Sequence, residues 1–321
     1  MAMRLRIVFL GTAEFALPSL EALAQGSDGV AAVVTRPDRP AGRGRKLRPP
    51  PVKEAAQKLG LPVLQPERAS HPEGLTSLRD LSPDLFVVAA YGEILREEAL
   101  ALPRLGAINL HASLLPKYRG AAPIQRALLA GERETGVTVQ RMVRELDAGD
   151  IVVQRSLSIG DEENWGSLHD RLAALGAEAV TEAVDLIRRG EAPRVRQDAE
   201  QVTLAPPVKT MELLIDWHRP SAEIARRVRA FAPRPGARTT RAGAFLKVLA
   251  ARDAGNGGKG VPGRVAEISG EGFSVEAAEG RLWVLSVQPA GGKPMSAAEY
   301  ARGYRLECGE RLGTAEASQG P

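Results

Sequence analysis

Residues Leu5–Thr35 read LRIVFLGTAEFALPSLEALAQGSDGVAAVVT. Leu5–Leu10 is an apolar run broken only by Arg6 and closed by Gly11-Thr12, the pattern of a strand buried on both faces. Ala13–Gln25 then sets Phe15, Leu17, Leu20 and Leu23 at helical spacing, and Val30–Thr35 is a second run rich in β-branched residues. Further along, Pro51–Leu59 reads as a helix, Leu85–Ala90 as another buried strand and Gly106–Leu110 as a fourth. Strands that are apolar throughout and alternate with helices predict an α/β, Rossmann-like, doubly wound and mostly parallel sheet covered on both faces. Val137–Leu146 and Asp150–Ile159 read as a later strand pair, and Ser167–Arg189 as a long amphipathic helix.

The chain has 321 residues, and single cores rarely keep growing beyond ~250–300 residues, so two domains are expected. The strand–helix pattern stops near Gly190–Val208, where Gly190, Pro193, Pro206 and Pro207 punctuate a polar stretch that reads as an interdomain connection. Beyond it come a helix at Ser221–Phe231 and short strands at Ala244–Ala251, Gly263–Ile268, Phe273–Ala277 and Leu282–Val287 between glycine-rich turns. Short strands at such spacing predict a small β-barrel of the oligonucleotide-binding (OB-like) type. The expected organisation is a first domain over 1–190, a linker over 191–208, the OB-like domain over 209–313 and a frayed tail over 314–321.

Hydrophobic residues make up 44% and charged residues 26%, an ordinary soluble globular balance. No apolar run approaches the ~20 residues needed to cross a bilayer, and Met1–Leu10 lacks the parts of a signal peptide. The single cysteine, Cys308, excludes an internal disulfide framework or a thiolate metal cage. A cytoplasmic protein without membrane attachment is expected, and nothing in the sequence demands more than a monomer. The net charge of +4 is unevenly spread. Arg36, Arg39, Arg43, Arg45, Lys46 and Arg48 face a single acid, Asp38, and Arg226, Arg227, Arg229, Arg234, Arg238 and Arg241 form a second basic group. Pro37–Pro50 reads either as a disordered loop or as a mobile basic loop that grips phosphates and orders on binding; charge leaves both open.

The first strand–helix turn, Gly11–Phe15, lacks the G-x-G-x-x-G fingerprint of dinucleotide binding, and no P-loop pattern is present. His71, His169 and His218 lie far apart, without metal-ligand spacing. The stretch Ala107–Gln125, AINLHASLLPKYRGAAPIQ, is different. Asn109 and His111 are two residues apart, so in a strand they project from one face. They fall where open α/β sheets bind ligands, beyond the carboxyl end of a strand. An amide and an imidazole there suit polarising a carbonyl and moving a proton; a core pair satisfied by backbone groups is the alternative. Ser113–Pro116 and Arg119–Pro123 describe a rigid loop with a basic side chain before a helix at Ile124–Ala130. Asp147, in the turn Leu146–Asp150, either caps its own turn or orients His111.

These residues together resemble the methionyl-tRNA formyltransferase family, in order from about Arg6 to Arg311. The resemblance is carried by Phe9–Thr12, PDRPAGRG at Pro37–Gly44, Ala90–Gly92, Asn109–Gln125, Glu134–Thr138 and Leu146–Asp150. Ile215–Trp217, Phe231–Pro233 and Gln288–Gly291 continue it through the C-terminal third. It implies formyl transfer from 10-formyltetrahydrofolate to the α-amine of methionyl initiator tRNA, without a metal. It implies Asn109, His111 and Asp147 as catalytic residues. Folate contacts are implied at Ser113, Leu114, Leu115, Pro116, Ala90, Tyr91 and Gly92, and tRNA contacts at Arg39, Arg43, Arg45 and Lys46, with Arg43 at the key position. Asn-x-His, S-L-L-P and the distant Asp are shared with other 10-formyltetrahydrofolate enzymes and fix the chemistry more than the acceptor. The chain departs from the family pattern at Ala112 (often glycine), Ala148 (often threonine), Glu93 and Arg96 (often apolar and proline), and Arg234 and Arg238 (often tryptophan).

Overall fold

The structure is a computed structural model that describes residues 4–41, 46–255 and 260–313. In chain order its elements begin with strand β1 (Arg6–Gly11), helix α1 (Leu17–Gln25), β2 (Gly29–Val34), β3 (Arg39–Ala41), β4 (Lys46–Arg48) and α2 (Pro51–Lys58). Next come β5 (Val63–Leu64), α3 (Pro72–Asp80), β6 (Leu85–Ala89), α4 (Glu97–Leu100), β7 (Ala107–His111), β8 (Arg119–Gly120) and α5 (Pro123–Ala130). Then follow β9 (Glu134–Arg141), β10 (Ile151–Ser158), α6 (Trp165–Arg189), β11 (Leu204–Ala205) and α7 (Ser221–Phe231). The last are β12 (Ala237–Arg241), β13 (Ala244–Asp253), β14 (Val265–Ile268), β15 (Phe273–Glu276), β16 (Arg281–Pro289), β17 (Met295–Ser296) and α8 (Ala297–Gly303). The chain divides into two compact units: Met1–Pro123, Glu134–Ser158 and His169–Ala205 form the first, and Ile124–Arg133, Ile159–Leu168 and Pro206–Pro321 the second.

The first unit is built on a seven-stranded sheet in the order β10-β9-β7-β6-β1-β2-β5. The five strands from β7 to β5 pair in parallel, and β9 and β10 extend that sheet antiparallel. Its apolar strands are buried on both faces, as parallel pairing under helices requires. Val8, Leu10, Phe86 and Val88 pack with Leu78 of α3 and Ala99 of α4. On the other face, Phe15 meets His169 of α6 edge-on, with ring centroids 5.5 Å apart. Gly176 of α6 lies over Leu110, where an added Cβ would stand 2.6 Å from the leucine. The direction in which successive strands are added reverses between β1 and β6: β2 and β5 lie to one side of β1, and β6 and β7 to the other. In open α/β sheets such a switch point marks the ligand-binding crevice, here beyond the carboxyl ends of β1 and β6.

Two local features differ from the sequence reading. The basic stretch after β2 contains a ladder, β3 against β4, pairing Arg39 with Arg48, Pro40 with Leu47 and Ala41 with Lys46. The polar stretch after α6 contains β11, which pairs in parallel with β8. Both ladders use backbone groups, so side-chain composition does not announce them.

The second unit carries a six-stranded antiparallel sheet, β12-β13-β16-β15-β14, with β17 added on β16. Phe231 of α7 and Leu246, Val248, Phe273, Val275 and Val284 of the sheet are fully buried. Trp217 Nε1 donates to Thr239 Oγ1 at 3.0 Å. The edge strands β12 and β14 are not partners in the sheet's path. Residues 310–313 bond to the strands at both edges: Val265 N–H donates to the Glu310 carbonyl, and Gly313 N–H to that of Thr240.

Phe86, fully buried in β6, tests the packing. Phe86→Ala should lower unfolding free energy by about 3–5 kcal/mol, read from urea denaturation of the full chain.

Candidate active site

Strand β7 brings Asn109 and His111 to the face opposite α6, because Ile108 and Leu110 take the alternate positions. Asn109 is half-buried, and its side-chain amide forms no hydrogen bond with the described residues. His111 is 6% exposed. Its Nε2 lies 2.9 Å from the Tyr118 carbonyl; a carbonyl only accepts, so Nε2 carries the proton. Its Nδ1 faces Asp147 Oδ2 at 3.6 Å. Asp147 therefore does meet His111, the point sequence spacing left open.

Donors fix the Asp147 carboxylate from two sides. Gly120 N–H donates to Oδ2 at 2.9 Å, and Gln140 Nε2 to Oδ1 at 3.0 Å. Gln140 stands on β9 opposite Asn109 and is 2% exposed. Gln197, from the polar stretch after α6, directs the two hydrogens of Nε2 at three acceptors, one hydrogen being shared: the carbonyls of Asp147 and Gly149, both at 2.8 Å, and Gln140 Oε1 at 3.1 Å. Its Oε1 accepts from Arg119 Nε and Nη2 at 3.0 and 2.7 Å. Gln140 and Gln197 escaped the sequence reading because glutamine is ordinary on any polar surface; no local signal marks them.

The loop after β7 is fixed just as densely. Ser113 Oγ donates to the Lys117 carbonyl at 2.6 Å. Thr138 Oγ1 donates to the Ser113 carbonyl at 2.7 Å and accepts from Leu115 N–H at 3.1 Å. Gln154 Nε2 holds the Leu115 carbonyl at 2.9 Å. Ser113 and Leu115 are buried, while Leu114 and Pro116 are half-exposed. Across the switch point, Thr12 secures the turn Ala90–Gly92: its N–H donates to the Ala90 carbonyl at 3.2 Å and its hydroxyl to the Tyr91 carbonyl at 2.7 Å. Ala90 and Gly92 are exposed; Tyr91 is buried, which pushes its phenol pKa up. Glu93, just beyond, pairs with Arg36 at 2.6 Å.

Three non-glycine residues around this crevice adopt the left-handed region: Ala90 at φ 45°, Tyr118 at 62° and Asp147 at 50°. Such conformations persist where the surroundings over-determine them, and they gather at functional sites. The arrangement offers a hydrogen-bond donor, an imidazole and an oriented carboxylate at one edge of a switch-point crevice. That set can polarise a carbonyl and relay a proton.

Among the candidate phosphate-gripping residues, Arg39 is exposed on β3, directly opposite the exposed Arg48 of β4. Lys46 opens β4, and Arg43 and Arg45 lie outside the described residues. At the root of this ladder, Lys53 Nζ and Gln65 Nε2 hold Asp38. Among the described residues, no group of three His, Cys, Asp or Glu side chains could hold a metal.

The family described as "Formyl transferase" matches residues 5–184, and "Formyl transferase, C-terminal domain" matches residues 207–305. The chain is 50% identical over 309 residues to a methionyl-tRNA formyltransferase of Moorella thermoacetica, covering 96% of this chain and 99% of the relative. It is 46% identical over 311 residues to one of Geobacter sulfurreducens, covering 97% and 98%. Its fold is similar to that of HypX from Aquifex aeolicus in complex with tetrahydrofolic acid: TM-score 0.64, 19% identity, 96% of this chain and 49% of that one. It is also similar to WlaRD, a sugar 3N-formyl transferase: TM-score 0.66, 18% identity, 89% and 98% covered.

Thr138 is fully buried and serves two loop groups. Thr138→Val keeps the shape and strands the Leu115 N–H and Ser113 carbonyl, so stability should fall by about 1–3 kcal/mol, measured from urea midpoints.

Proposed function

The chain belongs to the methionyl-tRNA formyltransferase family, and we propose that it transfers the formyl group of 10-formyltetrahydrofolate to the α-amine of methionyl initiator tRNA. The observation that carries this reading is the Asn109 amide, unpartnered among the described residues, beside the His111–Asp147 pair. A formyl carbonyl presented to that amide has its donor in place before any negative charge develops. The neutral amine attacks the formyl carbon and the carbonyl oxygen becomes an oxyanion bonded to Asn109. The carbon–N10 bond then breaks, the proton lost by the attacking nitrogen reaches N10, with His111 either stabilising the developing charge or relaying that proton, and tetrahydrofolate leaves. Asp147 holds His111 through this exchange. The donor is already activated, so the transfer calls for no metal.

For the folate we propose the walls formed by Ala90, Tyr91 and Gly92 on one side and Ser113, Leu114, Leu115 and Pro116 on the other. For the tRNA acceptor arm we propose the basic residues Arg39, Arg43, Arg45 and Lys46. The cross-strand pairing of Arg39 with Arg48 supports this: like charges placed opposite each other repel, and a phosphate between them would relieve that. We read the catalytic domain as residues 1–190, followed by a linker over 191–208. Residues 209–313 we read as an OB-like barrel that adds to tRNA binding; the bonds of residues 310–313 to both edge strands support the barrel. The enzyme works as a cytoplasmic monomer in this reading.

Incubation with 10-formyltetrahydrofolate and charged initiator tRNA should yield N-formylmethionine; tetrahydrofolate release without tRNA would instead indicate a hydrolase, and tRNA binding without turnover a non-catalytic module. Asn109→Ala should lower kcat by ~10²–10³, and His111→Ala by ~10²–10⁴; near-parental turnover in both would overturn the assignment. Arg43→Ala should raise KM for tRNA and flatten its salt dependence, whereas an unchanged KM across a salt series would return the basic stretch to a merely solvated loop.

A further inference from the structure

We infer that Gln197 is a positioning residue for the reaction, setting the Asp147 carboxylate against His111 from outside the strand that carries the histidine. The inference rests on the proposed formyl transfer for its kinetic consequence and on the hydrogen-bond chain for its geometry. The orientation of each amide in that chain follows from its neighbours. The Asp147 and Gly149 carbonyls only accept, so the Gln197 nitrogen must face them. Its oxygen then faces Arg119, which only donates. The Asp147 carboxylate accepts from Gln140, so the Gln140 nitrogen points to it and the Gln140 oxygen to Gln197. No amide can turn over without setting like atoms against each other. The chain runs in one direction, from the Arg119 cation to the Asp147 anion.

Gln197 acts on Asp147 in two ways. Its bond to the Asp147 carbonyl holds the residue in its left-handed backbone conformation. Through Gln140 it fixes the lateral position of Oδ1, while Gly120 fixes Oδ2. Together these settle which oxygen faces His111 Nδ1. Loss of Gln197 leaves the carboxylate held by Gly120 and by a Gln140 side chain that has lost its own anchor, so its direction is less sharply set. A misplacement of about 1 Å costs on the order of 10² in rate.

The test uses the full-length protein and the formylation assay. Gln197→Glu keeps the volume, offers no N–H to three acceptors, and should lower kcat by roughly 10²-fold. KM for both substrates should hold within about twofold, because the lost interaction concerns the reacting centre rather than ground-state binding. Gln197→Ala, at a half-buried position, should match it and guards against a folding defect of the first variant. In a His111→Ala background, Gln197→Glu should bring no further loss, since its path runs through that ring. Parental kcat in both variants, or an equal loss with and without His111, would overturn the inference. Nitrogen NMR of the His111 ring tests the geometry without turnover: its resonances should move in Gln197→Glu, and unmoved resonances would overturn the inference even in an active enzyme. A parental enzyme that forms no N-formylmethionine would sink the formyl-transfer reading alone, because the ring resonances still report on the positioning.

Discussion

The carboxylate of Asp147 is the constraint around which this end of the first unit is organised. A largely buried anion needs donors, and this one sits on a residue whose backbone, at φ 50°, is itself unfavourable for a side chain. Such a conformation costs of order 1–3 kcal/mol and survives only where several contacts impose it. Here they come from three separate places: Gly120 after β7, Gln140 on β9, and Gln197 beyond α6. The pairing of β8 with β11 brings the loop after β7 beside the chain that follows α6. The antiparallel addition of β9 to β7 places Gln140 opposite Asn109. The β8–β11 ladder and the antiparallel end of the main sheet thus serve a single acceptor.

How much of this could be read in the sequence follows from which interactions are local. Strands β1, β2, β6 and β7 announce themselves because burial on both faces demands unbroken apolar runs. Asn109 and His111 interrupt such a run at a spacing of two, so their shared face was legible. Strand order was not: the switch point between β1 and β6 is a property of pairing, and Thr12, which ties Ala90 and Tyr91 across it, looks like any residue after a glycine. The β3–β4 ladder was hidden because Pro40 and the neighbouring arginines have loop composition, while a ladder needs only backbone groups. Gln140 and Gln197 lie 57 residues apart, and nothing in either neighbourhood names the other. In the second unit β13 to β16 were legible from their spacing between glycine-rich turns, whereas β12, β17 and the bonds of residues 310–313 to both edges depend on tertiary approach.

Charge along the basic stretch is sorted by position. Arg36 is neutralised by Glu93, a residue that stands where the family often has an apolar one, and Asp38 is occupied by Lys53 and Gln65. Both anchors lie at the root, and they fix the chain where it leaves β2. Arg39 and Arg48, one step further out, are exposed. The arrangement combines a rigid base with unneutralised charge beyond it, which suits an anionic ligand whose binding is electrostatic and salt-sensitive.

The loop from Tyr118 to Gly120 takes its backbone partners from Thr203 and Ala205, near the end of the first unit. During synthesis the nascent chain holds Asn109 and His111 long before it holds the residues that position their partner. A ribosome must add roughly 90 residues after His111, at about 5–20 residues per second, before the β8–β11 pairing can form. The half-made chain therefore holds Asn109 and His111 without the groups that orient Asp147, and these arrive only with the end of the first unit.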